Sequence, residues 1–137
     1  MKLHAHFLAE SANFGSDSTF TVFRGGINEL RAPAWPTLLR VSIITRLEFD
    51  SEEATRLNEI SQRITFEADG TSHVMAQTRQ PIAVKGADPS QSAFANLIGN
   101  MNLVVPAPGK ITFETMINDE ERLPLLHFHA RQAPLPT

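Results

Sequence analysis

Apolar and polar residues alternate with a period of two along most of the chain. That period marks a strand with one buried face. The clearest run is Leu39 to Phe49. Leu39, Val41, Ile43, Thr45, Leu47 and Phe49 fall on one face, and Arg40, Ser42, Ile44, Arg46 and Glu48 on the other. Lys110 to Ile117 repeats the pattern, with Pro106-Ala107-Pro108-Gly109 before it and Asn118-Asp119 after it as turn chemistry. Arg122 to Ala130 returns, so 110–130 reads as a hairpin with a slightly longer loop. Pro124 marks an edge or the start of that strand.

Ile60, Ile64 and Phe66 alternate with Ser61, Arg63, Thr65 and Glu67. Asp69-Gly70 then signals a tight hairpin, with His73 to Thr78 as the returning strand. Leu3 to Ala9 reads as the first strand, 13–17 as a turn, and Thr19 to Arg24 as its partner. Gly25-Gly26 bends the chain into a short strand, Ile27 to Arg31. Leu97, Met101, Leu103 and Val105 suggest one or two strands broken near Gly99, and 87–92 reads as a loop. Asp50-Ser51-Glu52-Glu53 has the form of a helix start, with Asp50 as cap and Glu53 reaching back. One or two helical turns over 51–57 follow; a longer helix through Arg63 is the alternative.

These elements predict an all-β fold, an antiparallel two-layer β-sandwich of immunoglobulin-like or related topology. About eight or nine strands and one short helix near 51–57 fill it. A single domain is expected over 1–131, with 132–137 as a Pro-rich tail. The 137 residues suit one domain with its own core, and 42% apolar with 20% charged residues is globular composition. Cysteine is absent, which excludes disulfides, thiol catalysis and thiolate metal sites. A net charge of −3 argues against nucleic-acid binding by broad charge. No apolar run is long enough for a membrane span or a secretory leader, so a cytoplasmic location is expected.

Several segments resemble a family of small bacterial proteins classed as a domain of unknown function. They are His6-Phe7-Leu8-Ala9-Glu10-Ser11-Ala12, Phe23-Arg24-Gly25-Gly26-Ile27-Asn28, Ala32-Pro33-Ala34-Trp35-Pro36 and Pro108-Gly109-Lys110-Ile111-Thr112-Phe113-Glu114. The resemblance runs in order over most of the chain. It implies a single β-sandwich domain and brings no catalytic residue. The chain departs from the pattern at Thr19-Phe20 and in its two His-x-His pairs.

Those pairs are the first candidate chemistry. Residues two apart in a strand share a face, so His4 would point with His6, and His127 with His129. Were the first and last strands neighbours, four imidazoles could converge on Zn, Cu or Ni. The alternative places both pairs on outer faces, with Leu3, Ala5 and Phe7, and Leu126, Phe128 and Ala130, inward. No G-x-S-x-G, P-loop or H-E-x-x-H motif occurs. Glu52-Glu53 and Asp119-Glu120-Glu121 are adjacent acids of the solvated kind. Arg outnumbers Lys nine to three, and Arg40 and Arg46 share an outer face able to meet carboxylates.

Apolar residues on the polar faces point elsewhere. Ile44, Phe23 and Met116 each interrupt a polar row, and Trp35 lies in a loop as a candidate anchor. With Arg40 and Arg46 they are the candidate interface residues. The expected function is a non-enzymatic, self-associating protein-interaction module without a cofactor. The runner-up is a sandwich binding a metal or small ligand through His4, His6, His127 and His129.

Overall fold

The computed structural model describes residues 1–15, 19–82, 84 and 92–134. Positions 16–17 of the expected turn at 13–17 and 87–91 of the expected loop at 87–92 lie outside them, while Asn13 and Phe14 belong to the first strand. The described residues are all-β, 73% of them in strands and 3% in helix. In chain order the elements are β1 (Lys2–Phe14), β2 (Phe20–Gly25), β3 (Glu29–Ala32), β4 (Thr37–Phe49), α1 (Ser51–Ala54) and β5 (Asn58–Ala68). There follow β6 (Thr71–Ile82), β7 (Ala93–Val105), β8 (Gly109–Ile117), β9 (Glu121–Arg122) and β10 (Leu126–Gln132).

A four-stranded sheet has the order β2-β1-β4-β7, and a six-stranded sheet the order β3-β10-β8-β5-β6 with β9 beside β8. The long run at 39–49 takes the interior position its pattern demands, pairing with β1 on one side and β7 on the other. Its inner residues meet those of the second sheet. Leu39, Val41 and Ile43 share one buried cluster with Ile64, Phe66, Ile111, Phe113 and Phe128. Leu47 and Phe49 share another with Ile60, Ile117 and Leu123.

Local signals acted as their chemistry requires. Asp69 and Gly70 both have positive φ, 51° and 73°, as a two-residue turn between twisted strands demands. Asp50 caps α1 by accepting from the Glu53 amide at 2.7 Å, while the Glu53 carboxylate accepts from the Asp50 amide at 3.0 Å. The helix ends at Ala54, short of the expected 57, because Asn58 already begins β5.

Four expectations need correction. The sandwich is not wholly antiparallel, since β3 pairs with β10 in parallel, Glu29 opposite His129 through Ala32 opposite Gln132. A parallel pair needs a long-range crossover that no turn signal announces. β10 also runs to Gln132, one residue into the stretch read as a tail. Gly99 breaks nothing, because β7 pairs with β4 continuously from Ala93 to Val105. A Cβ at Gly99 would lie 3.1 Å from the Gln62 Oε1, so the missing side chain leaves room for an amide from the facing sheet.

The fourth concerns the faces of β1. Leu3 sits opposite Leu47 and Ala5 opposite Arg46, so His4 is an extra residue bulged into the strand. Past the bulge the alternation inverts. Leu8 now faces inward into the core, and Phe7 packs on the outer face. His6, opposite Thr45, turns inward.

His6 belongs to a polar seam that separates the two apolar clusters. The inner rows of β4, β5 and β8 change chemistry at the same level. Thr45 lies between Ile43 and Leu47, Gln62 between Ile60 and Ile64, and Thr115 between Phe113 and Ile117. Thr45 accepts or donates one bond, at 3.0 Å from His6 Nδ1. The Thr115 hydroxyl is fully buried and has no hydrogen-bond partner among the described residues. Such an unpaired hydroxyl costs about 1–3 kcal/mol. Thr115→Val should therefore raise stability by about 1 kcal/mol in urea unfolding. Gly109→Ala should lower it by about 2–3 kcal/mol in the same assay. Its Cβ would fall 2.6 Å from the Glu67 carbonyl oxygen and 2.7 Å from the Phe66 ring.

Candidate functional site

The imidazoles do not converge. His4 and His6 belong to the four-stranded sheet, His127 and His129 to the six-stranded one. The bulge also sends His4 and His6 to opposite faces. His4 Nε2 lies 2.9 Å from Glu48 Oε1, and its ring meets the edge of Phe94 with centroids 5.3 Å apart. On the second sheet the shared face holds, and His127 Nδ1 lies 3.3 Å from the Thr112 hydroxyl. Burial, Lys110 and His129 push the His127 pKa down. Among the described residues no three His, Asp or Glu side chains are grouped to hold a metal ion.

The six interface candidates do not form one patch. Arg40 and Arg46 do share the outer face of β4. Arg40 is exposed, whereas Arg46 stacks over Phe94, its guanidinium 4.4 Å from the ring centroid. Ile44, expected to point outward into solvent, is 0% exposed. It does lie on the outer face, but Ala9 and Ala12 of β1 bury it, with Phe7, Phe20, Val22 and Ile98 around them. The β1–β2 hairpin thus covers the apolar interruption with the chain's own side chains. Phe23, on β2, is 58% exposed.

Trp35 is half-buried against the larger core cluster, and its indole N–H donates to Gln132 Oε1 at 2.9 Å. The Gln132 amide donates to the Pro33 carbonyl at 3.0 Å. Trp35 therefore clasps the end of β10. Met116 is half-buried on the outer face of the other sheet, opposite Ser61 and Arg122.

That second outer face holds a shallow depression of ≈ 380 Å³ lined in part by Ser61, Arg63, Gln77, Arg79 and Glu114. Its charges are largely committed. Arg79 pairs with Glu59 and, through two bonds of 2.7 and 3.1 Å, with Asp119. The guanidinium holds the Asp119 carboxyl below the usual range. Glu114 lies 3.3 Å from Arg122. Carboxylates neutralised in this way are structural ion pairs rather than an acid and a base held apart.

The sheet edges are more informative. An open edge presents unpaired amides and carbonyls, and proteins usually blunt it with short strands, charge, proline or bulges. β2 has six residues and β3 four. β6 carries Arg79 and Pro81 and bulges at Met75, between the pairs Ile64–Ala76 and Thr65–Val74. β7 has none of these devices. It is a thirteen-residue edge strand, Ala-Phe-Ala-Asn-Leu-Ile-Gly-Asn-Met-Asn-Leu-Val-Val, without charge or proline. On its outer face Phe94 is 44% and Val104 63% exposed, and Leu38, opposite Val104 on β4, is 51% exposed.

Leu38, Phe94 and Val104 are the residues that sequence reasoning missed. For Phe94 and Val104 the signal was present at the even positions of 93–105. It was hidden by reading Gly99 as a break.

Among the described residues, His6 is the partly buried titratable group most strongly perturbed by desolvation. Desolvation lowers its pKa from 6.5 to about 4. The unfolded chain takes up the proton near pH 6.5 and the folded chain only near pH 4. Stability from this group is therefore complete above pH 6.5 and declines as pH falls toward about 4. Allowing for partial exposure of the ring, the loss should reach about 1–2 kcal/mol. Urea unfolding from neutral to mildly acidic pH checks this, and His6→Gln should flatten the dependence.

The described residues contain no helix long and apolar enough to cross a membrane. No curated protein matches the chain. A family model described as "Family of unknown function (DUF6941)" matches residues 4–126. Nearly the whole sandwich lies within that match, from the bulged first strand to the start of the last, and the chain belongs to this family of unknown function.

Proposed function

We propose that the protein is a non-enzymatic module that works by protein–protein contact and associates with itself. The observation that carries this reading is β7. Three of the four sheet edges are short, charged, bulged or proline-bearing, and the fourth is long, neutral and fringed by exposed Phe94, Leu38 and Val104. A long edge without charge, proline or bulge promotes strand pairing unless pairing is its use. The outward chemistry agrees. The Arg-rich faces carry ion pairs and one aromatic stack, and in the depression on the six-stranded sheet Glu114 is paired with Arg122 and Arg79 with Glu59 and Asp119.

Sedimentation equilibrium of the full chain tests the reading. A dimer, or a higher closed assembly, is expected at tens of micromolar. A monomer throughout that range overturns self-association.

A further inference from the structure

The sequence of β7 is close to a palindrome in chemistry, and that property names its partner. With an axis placed at Gly99 and a second strand running antiparallel, five of the six facing pairs join residues of like character, and the sixth sets Ile98 against Asn100. Ala93 meets Val105, Ala95 meets Leu103, and Leu97 meets Met101 along the inner row. Phe94 meets Val104 along the outer row, with Ile98 beside Asn100 near the axis. No charged side chain opposes another, because β7 has none.

The neighbouring strand completes the match. Leu38 stands opposite Val104 within one chain, and Glu48 opposite Phe94. Pairing about Gly99 would lay Leu38, Val104 and Phe94 of the second copy in one cross-strand row. The three most exposed apolar side chains near this edge would cover one another at both ends of a two-fold interface. Gly99 has no side chain to obstruct the axis, and its backbone is already extended within β7.

We infer that two copies join edge to edge along β7, antiparallel and centred on Gly99, so that two four-stranded sheets become one of eight strands. This deepens the reading of self-association given above and rests on it. The chemistry selects a second copy over an unlike strand. An arbitrary partner would have to supply an uncharged, apolar-ended strand of this length in the same order, and the chain already carries one.

Because the chain lacks cysteine, the register can be read directly by oxidative crosslinking of Phe94→Cys/Val104→Cys. Within one strand these positions lie ten residues apart, about 34 Å, so they cannot bond to each other in a single molecule. Across the inferred axis they are directly opposite, at the separation a disulfide needs. The expected result is a covalent dimer whose 94–104 linkage is identified by peptide mass spectrometry, with neither single variant linking efficiently. A second variant guards against loss of fold. Val104→Glu, at an exposed position, sets a carboxylate directly against Phe94 of the other copy, in the row that also holds Leu38, and should weaken association about tenfold or more.

A dimer that neither crosslinks at 94–104 nor responds to Val104→Glu overturns the β7 register while leaving self-association intact. A monomeric wild type that also fails to crosslink overturns both.

Discussion

The inner row of β4 must be kept from water, and the rest of the sandwich is arranged around that requirement. Leu39, Val41, Ile43, Leu47 and Phe49 are all buried. One sheet cannot cover them. At about 25 cal/mol per Å² of apolar surface, their burial is a large term that exists only when a second sheet closes over the first. β5, β8 and β10 provide that lid through Ile60, Ile64, Phe66, Ile111, Phe113 and Phe128. The strand pairings of both sheets then follow from holding these rows face to face.

The seam through the middle of the core qualifies this picture. His6, Thr45, Gln62 and Thr115 place polar atoms where a continuous apolar row would pack more simply. The arrangement also depends on a bulge at His4, which rotates the remainder of β1 by one face. Without it, Phe7 would turn into the core and His6 outward. The polar level is consistent across four strands from both sheets, so it limits register slippage, since a slip would set a hydroxyl or amide against a hydrocarbon.

Closing two open sheets over one another leaves four edges. The chain treats them unequally, and this inequality is the basis of the functional reading. The depression on the six-stranded sheet and the histidine pairs carry less weight. Glu114 and Arg79, which line the depression, are held in ion pairs, and the two histidine pairs lie on separate sheets. Ile44 shows how a correct sequence observation can carry a different meaning. It is apolar on an outer face, as its position in the alternation says, yet the curled β1–β2 hairpin has already buried it.

Strand content, the β4 and β8 rows, the Asp69-Gly70 hairpin and the capped helix start were legible in the sequence. Each depends on residues within a few positions of one another, where the backbone period and turn chemistry act. The parallel β3–β10 pair, the covering of Ile44, the uninterrupted β7 and the inward turn of His6 were not. Each depends on a partner distant in the chain: Gln132 for Trp35, Val22 and Phe20 for Ile44, Gln62 for Gly99, and the Leu47–Arg46 register for the bulge. The sequence by itself determined that this protein would be a sandwich of alternating strands. Only the tertiary structure decided which side chains face out and which strands end each sheet among the described residues, because a period of two defines two faces but not which of them another part of the chain will cover.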